Sequence, residues 1–180
     1  MKKLYFLIIL SSLLLLTGCR SKTSFPVKFD EFTFNLYDNA KQYIILPSGT
    51  NNGWMNVLTE MKEKTAEGDT GFSNSLIIIR TPIQSWTNMK ELVDSNTKTL
   101  QLKLLQYKST DNLNKKVKCD DLQYSWYATA FSYQLDNQTL YGGQYFFTDD
   151  EALYLISLSS DTNKDIKSFI KSIGTIKCVN

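Results

Sequence analysis

The alternation of apolar and polar positions predicts a domain that mixes strands and helices. Strand-like runs occur at residues 32–36, 42–46 and 75–79. The last run, Leu76 to Ile79, is continuously apolar, so we expect a central strand that is buried on both faces. Residues 54–61 fit a strand or a helix equally well. The first half of the chain is therefore predicted to be rich in strands.

Three long runs rich in tyrosine and phenylalanine follow, at residues 122–134, 139–148 and 152–159. Short polar connections separate them, which predicts an antiparallel meander. The connections are Asp136-Asn137 and Asp149-Asp150. The polar segment 112–118 is predicted to contain a turn, and Gly142-Gly143 inside a strand predicts a bulge or a close approach of two backbones.

Two helices are predicted, one on each side of the meander in sequence. The first covers residues 87–102 with Ser85 or Thr87 as its N-cap. The second begins after Asp161 or Thr162 and ends at Gly174. Its apolar residues have helical spacing: Ile166, Phe169, Ile170 and Ile173. Segregated strands and helices of this kind predict an α+β fold, an antiparallel sheet flanked by two main helices.

The first residues have the pattern of an export signal. Lys2 and Lys3 precede a mostly apolar run at residues 4–16, which is too short to span a bilayer as a helix. The run ends in Leu-Thr-Gly-Cys, which resembles the lipobox of bacterial lipoproteins. This resemblance implies a signal peptide at residues 1–18, cleavage between Gly18 and Cys19, and lipid attachment to Cys19. The alternative is an ordinary signal peptide with a chance cysteine.

These features predict an extracytoplasmic protein anchored by its lipid to the cell membrane or the outer membrane. Residues 19–28 are expected to form the lipidated cysteine and a short tether, and residues 29–180 the globular domain. Without the two lysines of the signal peptide, the chain has 18 basic and 18 acidic residues. A neutral domain lacks the basic surface that nucleic-acid binding requires, so no nucleic-acid partner is expected.

The chain contains no histidine. This excludes Ser-His-Asp and Cys-His catalysis and histidine-ligated metal sites. No phosphate-binding glycine loop or calcium loop is present either. We therefore expect no catalytic residue, no metal and no cofactor.

Three stretches resemble the PsbP-like family, which includes the DcrB-type bacterial lipoproteins. They are QYIILPSG, GFSNSLIIIRTPIQSWTNMKELVDSNTKTLQ and YGGQYFFTDDEALYLISLSSDTNKDIKSFIKSI. The resemblance extends over most of residues 32–176. It implies an α/β/α sandwich of the PsbP-like type, a fold that its members use to bind other proteins.

Two cysteines remain once Cys19 is assigned to the lipid. Cys119 and Cys178 are a candidate disulfide, because export makes oxidation possible and leaves an even pair. The bond would close a loop of about 60 residues, worth about 4 kcal/mol in the chain-entropy model. The alternative is two unpaired thiols.

The aromatic residues of the meander are candidates for a partner surface: Trp126, Tyr133, Tyr141 and Tyr145. The alternative interpretation places them in the core and in ordinary cross-strand pairs. The sequence thus predicts a non-enzymatic lipoprotein that is attached to the membrane through its N-terminal lipid and binds a protein of the cell envelope. An immunity or exclusion lipoprotein is the alternative, followed by a histidine-free envelope enzyme.

Overall fold

A computed structural model describes residues 24–30, 32–37, 43–46, 56–64, 71–83, 88–119, 122–148 and 151–178. Two helices lie in this part of the chain, α1 (Met89–Lys103) and α2 (Asn163–Ile173). The strands are β1 (Ser24–Phe29), β2 (Phe32–Tyr37), β3 (Tyr43–Leu46), β4 (Asn56–Glu63), β5 (Ser75–Pro82), β6 (Leu105–Cys119), β7 (Leu122–Leu135), β8 (Gln138–Thr148), β9 (Ala152–Ser160) and β10 (Lys177–Cys178). The predicted signal peptide and Cys19 lie outside the described residues.

The strands form two antiparallel sheets. The large sheet has seven strands in the order β3-β4-β5-β9-β8-β7-β6, and the small sheet has the order β1-β2-β10. Strands β6 to β9 pair with their neighbours in chain order, which confirms the predicted meander. Asp136 and Asn137 connect β7 to β8 with φ angles of 48° and 64°, as a two-residue type I′ turn requires.

The two helices pack on opposite faces of the large sheet, so the fold is α+β with the predicted sandwich arrangement. Alternate residues of β8 show this division. Tyr145 and Phe147 belong to the core cluster that contains α2, whereas Phe146 belongs to the cluster that contains α1. We call the two sides of the sheet the α1 face and the α2 face.

The α2 face carries the larger core. Helix α2 starts at the N-cap Thr162, whose side chain accepts a hydrogen bond from the backbone N–H of Asp165. Ile166, Phe169 and Ile173 are fully buried on this face. A Cβ atom at Gly143 would lie 3.0 Å from the Phe169 ring, so the absence of a side chain there lets α2 approach the sheet closely.

The small sheet completes the α2 face, and an ion pair connects it to the large sheet. Phe32 packs edge-on against Phe147 with 5.0 Å between ring centroids. In the turn between β1 and β2, Asp30 accepts a 3.0 Å hydrogen bond from the Tyr154 hydroxyl and lies 3.5 Å from the Arg80 guanidinium. The hairpin is therefore fixed by aromatic packing and by a polar contact at its tip.

Helix α1 packs on the other face through a smaller apolar cluster. Its N-cap is Asn88, whose side chain accepts hydrogen bonds from two backbone N–H groups of the first turn. Val93 is the buried residue of α1 and packs with Phe146 and Leu153. One turn later, Asn96 donates a 2.8 Å hydrogen bond to the Gln144 side chain. Helix α1 thus lies over the meander strands.

The structure differs from several sequence predictions. Segment 112–118 is part of the continuous strand β6 and contains no turn, because an edge strand is held by backbone pairing with β7 and needs few apolar side chains. Segment 54–61 is largely strand β4. Asn88 caps α1, and residues 84–87 lie outside the described part. Strand β1 begins at Ser24, inside the segment expected to be tether.

Candidate functional site

The two faces of strand β5 differ in how far their side chains are buried. The strand is central, as predicted, and Leu76 and Ile78 are fully buried on the α2 face. The expected burial on both faces is wrong, because Ile77 and Ile79 on the α1 face are only half-buried. They belong to neither core cluster of the described residues. Among the described residues, helix α1 lies mainly over β6, β7 and β8, so this side of β5 is less covered than the α2 face.

Val57 of β4 extends the open region, because it lies directly opposite Ile79 in the ladder. We call Val57, Ile77 and Ile79 the open strip. A register shift between Val57 and Thr59 interrupts the pairing of β4 with β5 beside it. Such bulges increase the local twist and change the direction of side chains. The open strip is therefore an apolar surface on two adjacent strands.

A shallow polar pocket adjoins the open strip. Its volume is about 440 Å³, and it is lined by Glu60, Lys62, Gly71, Phe72, Ser73 and Ser75. Glu60 lies opposite Ile77 in the ladder, and Lys62 lies opposite Ser75. An apolar strip beside a pocket with one acidic and one basic side chain suits a peptide segment that has both apolar and polar groups.

The four predicted partner residues do not form one surface. Tyr145 is only 3% exposed and lies in the core of the α2 face, where its hydroxyl donates a 3.0 Å hydrogen bond to the Ile170 carbonyl. Tyr141 is half-buried on the same face. Tyr133 lies on the α1 face, two residues after Phe131 in β7. The backbone of Trp126 pairs with Phe147, and its side chain lies outside the description.

Tyr133 instead belongs to an aromatic row on the α1 face, beyond the end of α1. The rings of Tyr107 and Phe131 stack with centroids 5.3 Å apart, and Tyr133 follows at 6.1 Å. Partial burial raises the pKa of both tyrosine hydroxyls, while side-chain hydrogen bonds with Ser109 and Ser159 act in the opposite direction. The row places two half-buried tyrosines near the surface.

Exposed leucines lie near this row, where α1 ends and β6 begins and where β7 ends. Leu102 is 89% exposed, Leu105 69% and Leu135 50%. Leu105 pairs with Gln134, the neighbour of Leu135, so both leucines lie at the same end of the sheet and their side chains point to opposite faces. Gln106 follows with a φ of 51°. We call Leu102, Leu105 and Leu135 the leucine tip. Sequence reasoning missed it because an exposed leucine and a core leucine look alike in a sequence.

The two candidate disulfide cysteines lie on strands that contact each other. Cys119 is the last residue of β6, and Cys178 ends β10. Strand β10 contacts β6 as well as β2. The side chains of both cysteines lie outside the description, so the bond between them stays a prediction.

The described residues contain neither a candidate metal centre nor a helix that could span a membrane. Within them, no cluster of three or more histidine, cysteine, aspartate or glutamate side chains could hold a metal ion. The helices α1 and α2 are both too short and too polar to cross a membrane.

A known structure shares this architecture. No protein-family model matches the sequence, and no curated protein matches it. In structure, the chain is similar to LpqN of Mycobacterium tuberculosis, a protein involved in cell envelope biogenesis, with a TM-score of 0.53 and 9% identity over 88% of this chain and 91% of LpqN. A Pseudomonas aeruginosa protein of unknown function has a TM-score of 0.46 and 12% identity, over 84% and 91% of the two chains. The likeness to LpqN establishes a shared fold.

Proposed function

We propose that this chain is a lipid-anchored, extracytoplasmic lipoprotein of the bacterial envelope whose domain binds a protein and catalyses no reaction. The observation that carries the binding role is the open strip, where a central strand has half-buried aliphatic side chains that belong to neither core cluster of the described residues. Apolar side chains exposed together on neighbouring strands are typical of interaction sites. The absence of histidine from the chain supports the non-enzymatic role.

The partner proposed for the open strip is a protein segment with an apolar stripe and at least one charged group. Ile77 and Ile79 would contact the stripe, and Glu60 and Lys62 would pair with the charge. The PsbP-like resemblance supports this proposal, because that family uses its fold to bind proteins. The involvement of LpqN in cell envelope biogenesis supports a location in the envelope.

Photo-cross-linking tests the binding role. A benzoylphenylalanine replaces Ile79 in the full chain, or the exposed Lys167 of helix α2 in a matched control. We expect illumination of intact cells to attach one envelope protein at position 79, and a second probe at Ile77 to capture the same protein. Adducts that are absent at both positions, or equally abundant at position 167, would contradict the proposed surface.

Radioactive palmitate tests the anchor separately. We expect the chain to incorporate palmitate, and Cys19→Ala to abolish incorporation and to leave an uncleaved precursor. A Cys119→Ala variant serves as the control, because it removes a different cysteine and keeps the lipobox. Labelling that persists in Cys19→Ala would disprove lipidation at this residue.

A further inference from the structure

We propose that the leucine tip is a membrane-contact surface that rests on anionic phospholipid. The proposal depends on the proposed function to the extent that a lipid anchor at Cys19 holds the domain beside a bilayer. It goes further by assigning a second contact, made by the folded domain itself. This contact would fix the orientation of the domain on the membrane and the direction in which the open strip faces.

The exposure of the leucines is the first argument. Side chains that are 89% and 69% exposed, as Leu102 and Leu105 are, protrude from the surface. Transfer of a leucine side chain from water into an apolar phase is favourable by about 2 kcal/mol. Two such side chains at one junction therefore favour insertion between lipid acyl chains.

The residues around the tip supply the groups that a bilayer surface recognises. Lys98, Lys103 and Lys108 are exposed on α1 and at the start of β6, and none forms an ion pair with another described residue. Lysines beside inserted apolar side chains extend their ammonium groups to lipid phosphates. Asp136, in the turn after Leu135, adds one opposing charge.

Two tyrosine side chains also lie near the leucine tip. Tyr107 and Tyr133 lie in the aromatic row next to the tip and are half-buried. Tyrosine is enriched at the boundary between headgroups and acyl chains, where its ring is apolar and its hydroxyl remains in contact with water. Leucine, tyrosine and lysine at one end of the sheet are thus the residue types that the interior, boundary and phosphate regions of a bilayer favour, which favours a lipid surface over a protein groove.

The length of the tether brings the domain to the membrane. Cys19 precedes Ser24, the first residue of β1, by five residues. Five extended residues reach at most about 18 Å. A domain tethered at that distance meets the bilayer surface repeatedly, so even a weak contact is favoured by its high local concentration.

The test is photo-cross-linking of the purified full chain on vesicles. Benzoylphenylalanine replaces Leu105, or Lys167 of α2 as the matched control. The vesicles contain phosphatidylcholine alone or phosphatidylcholine with phosphatidylglycerol. On anionic vesicles we expect phospholipid adducts at position 105 at least about fivefold above position 167, and each of Lys103→Glu and Lys108→Glu to lower them about fivefold.

The outcomes separate the surface from the anchor. Mass spectrometry of the N-terminal peptide reports acylation of Cys19, and the adduct at position 105 reports the tip. An acylated chain without excess adducts at position 105 overturns the membrane surface and leaves the anchor intact. Adducts at position 105 on an unacylated chain overturn only the anchor. In native membranes, a protein adduct at position 105 in place of phospholipid also overturns the proposal.

Discussion

The ring of Phe131 lies directly over Gly142, its partner on the neighbouring strand. A Cβ atom at position 142 would be 2.3 Å from the tip of the ring. Tyr107 stacks against the ring at 5.3 Å and Tyr133 flanks it at 6.1 Å, so its movement is restricted on these two sides. Gly142 is therefore the position that lets the aromatic row lie flat on the sheet.

Gly142→Ala is expected to destabilise the fold. The added methyl group must displace the Phe131 ring, and overpacking of this kind lowers the free energy of unfolding by about 1–3 kcal/mol. Urea unfolding measures this change. Phe131→Leu provides space, so the double variant should lose less stability than the sum of the single variants.

A matched control lies one residue further along β8. Gly143 is on the opposite face, where an added methyl group crowds Phe169. Gly143→Ala should also destabilise the fold but leave the NMR signals of the Tyr107 ring in place. A shift of those signals in Gly143→Ala, and none in Gly142→Ala, would contradict the described packing.

The predicted bulge or close approach of two backbones at Gly142-Gly143 is not found, because the β7–β8 and β8–β9 ladders are regular there and the atoms that approach the two glycines belong to side chains. The meander and helix α2 were readable from the sequence, because each is encoded by neighbouring residues. The incomplete burial of β5 on the α1 face could not be predicted from the sequence. Whether Ile77 and Ile79 are covered depends on where α1 returns across the sheet, and no residue near them determines that path.

Strand β6 and the leucine tip could not be predicted either, because both depend on contacts between residues that are far apart in the sequence. The polar stretch 112–118 is a strand because β7 offers its backbone as a partner, and that partner is separate in sequence. Leu100 is half-buried whereas Leu102, two residues later, protrudes. The difference comes from the orientation of α1 on the sheet, which the weakly amphipathic sequence of this helix does not specify.

Asp165 connects the start of β5 to helix α2 and provides a second prediction. Its carboxylate accepts hydrogen bonds from Asn74 at 2.9 Å and from Ser160 at 3.0 Å, and all three side chains are buried. The amide oxygen of Asn74, Oδ1, is buried without a hydrogen-bond partner. Asp165→Ala would leave two buried donors unsatisfied, so we expect a loss of about 2–4 kcal/mol in the free energy of unfolding.

Two comparisons distinguish this network from simple loss of volume. Asp165→Asn keeps one oxygen acceptor in place and should cost less than Asp165→Ala. The double variant of Asn74→Ala and Asp165→Ala should be less destabilised than the sum of its parts, since the two side chains are direct partners. Strict additivity would show that the hydrogen bond contributes nothing.

The third prediction is a disulfide between Cys119 and Cys178. It is favoured by the contact between β6 and β10, the two strands that end in these residues. Mass spectrometry without reductant should find the protein lighter by two hydrogens, with the two cysteines in one cross-linked peptide. Two thiols that react with an alkylating reagent in the exported, unreduced protein would exclude the bond.

The last prediction concerns alkaline pH and Tyr145. Burial raises the pKa of the Tyr145 hydroxyl well above its ordinary value of 10.0. As pH rises past 10, the unfolded chain loses this proton while the folded chain keeps it. The folded state then binds more protons, so the free energy of unfolding falls with rising pH above about 10 and is unaffected by this group below it.

Tyr145→Phe should make that alkaline fall less steep. At neutral pH the variant should be less stable by about 1 kcal/mol, because the hydrogen bond to the Ile170 carbonyl is lost. Tyr133→Phe is the comparison: burial raises the pKa of Tyr133 in the same direction, but this side chain is more exposed, so a smaller change in slope is expected. The midpoints of urea unfolding, measured from pH 8 to pH 11 for both variants and the unmodified chain, test this prediction. An identical slope in Tyr145→Phe and the unmodified chain would mean that the Tyr145 hydroxyl does not link folding to pH.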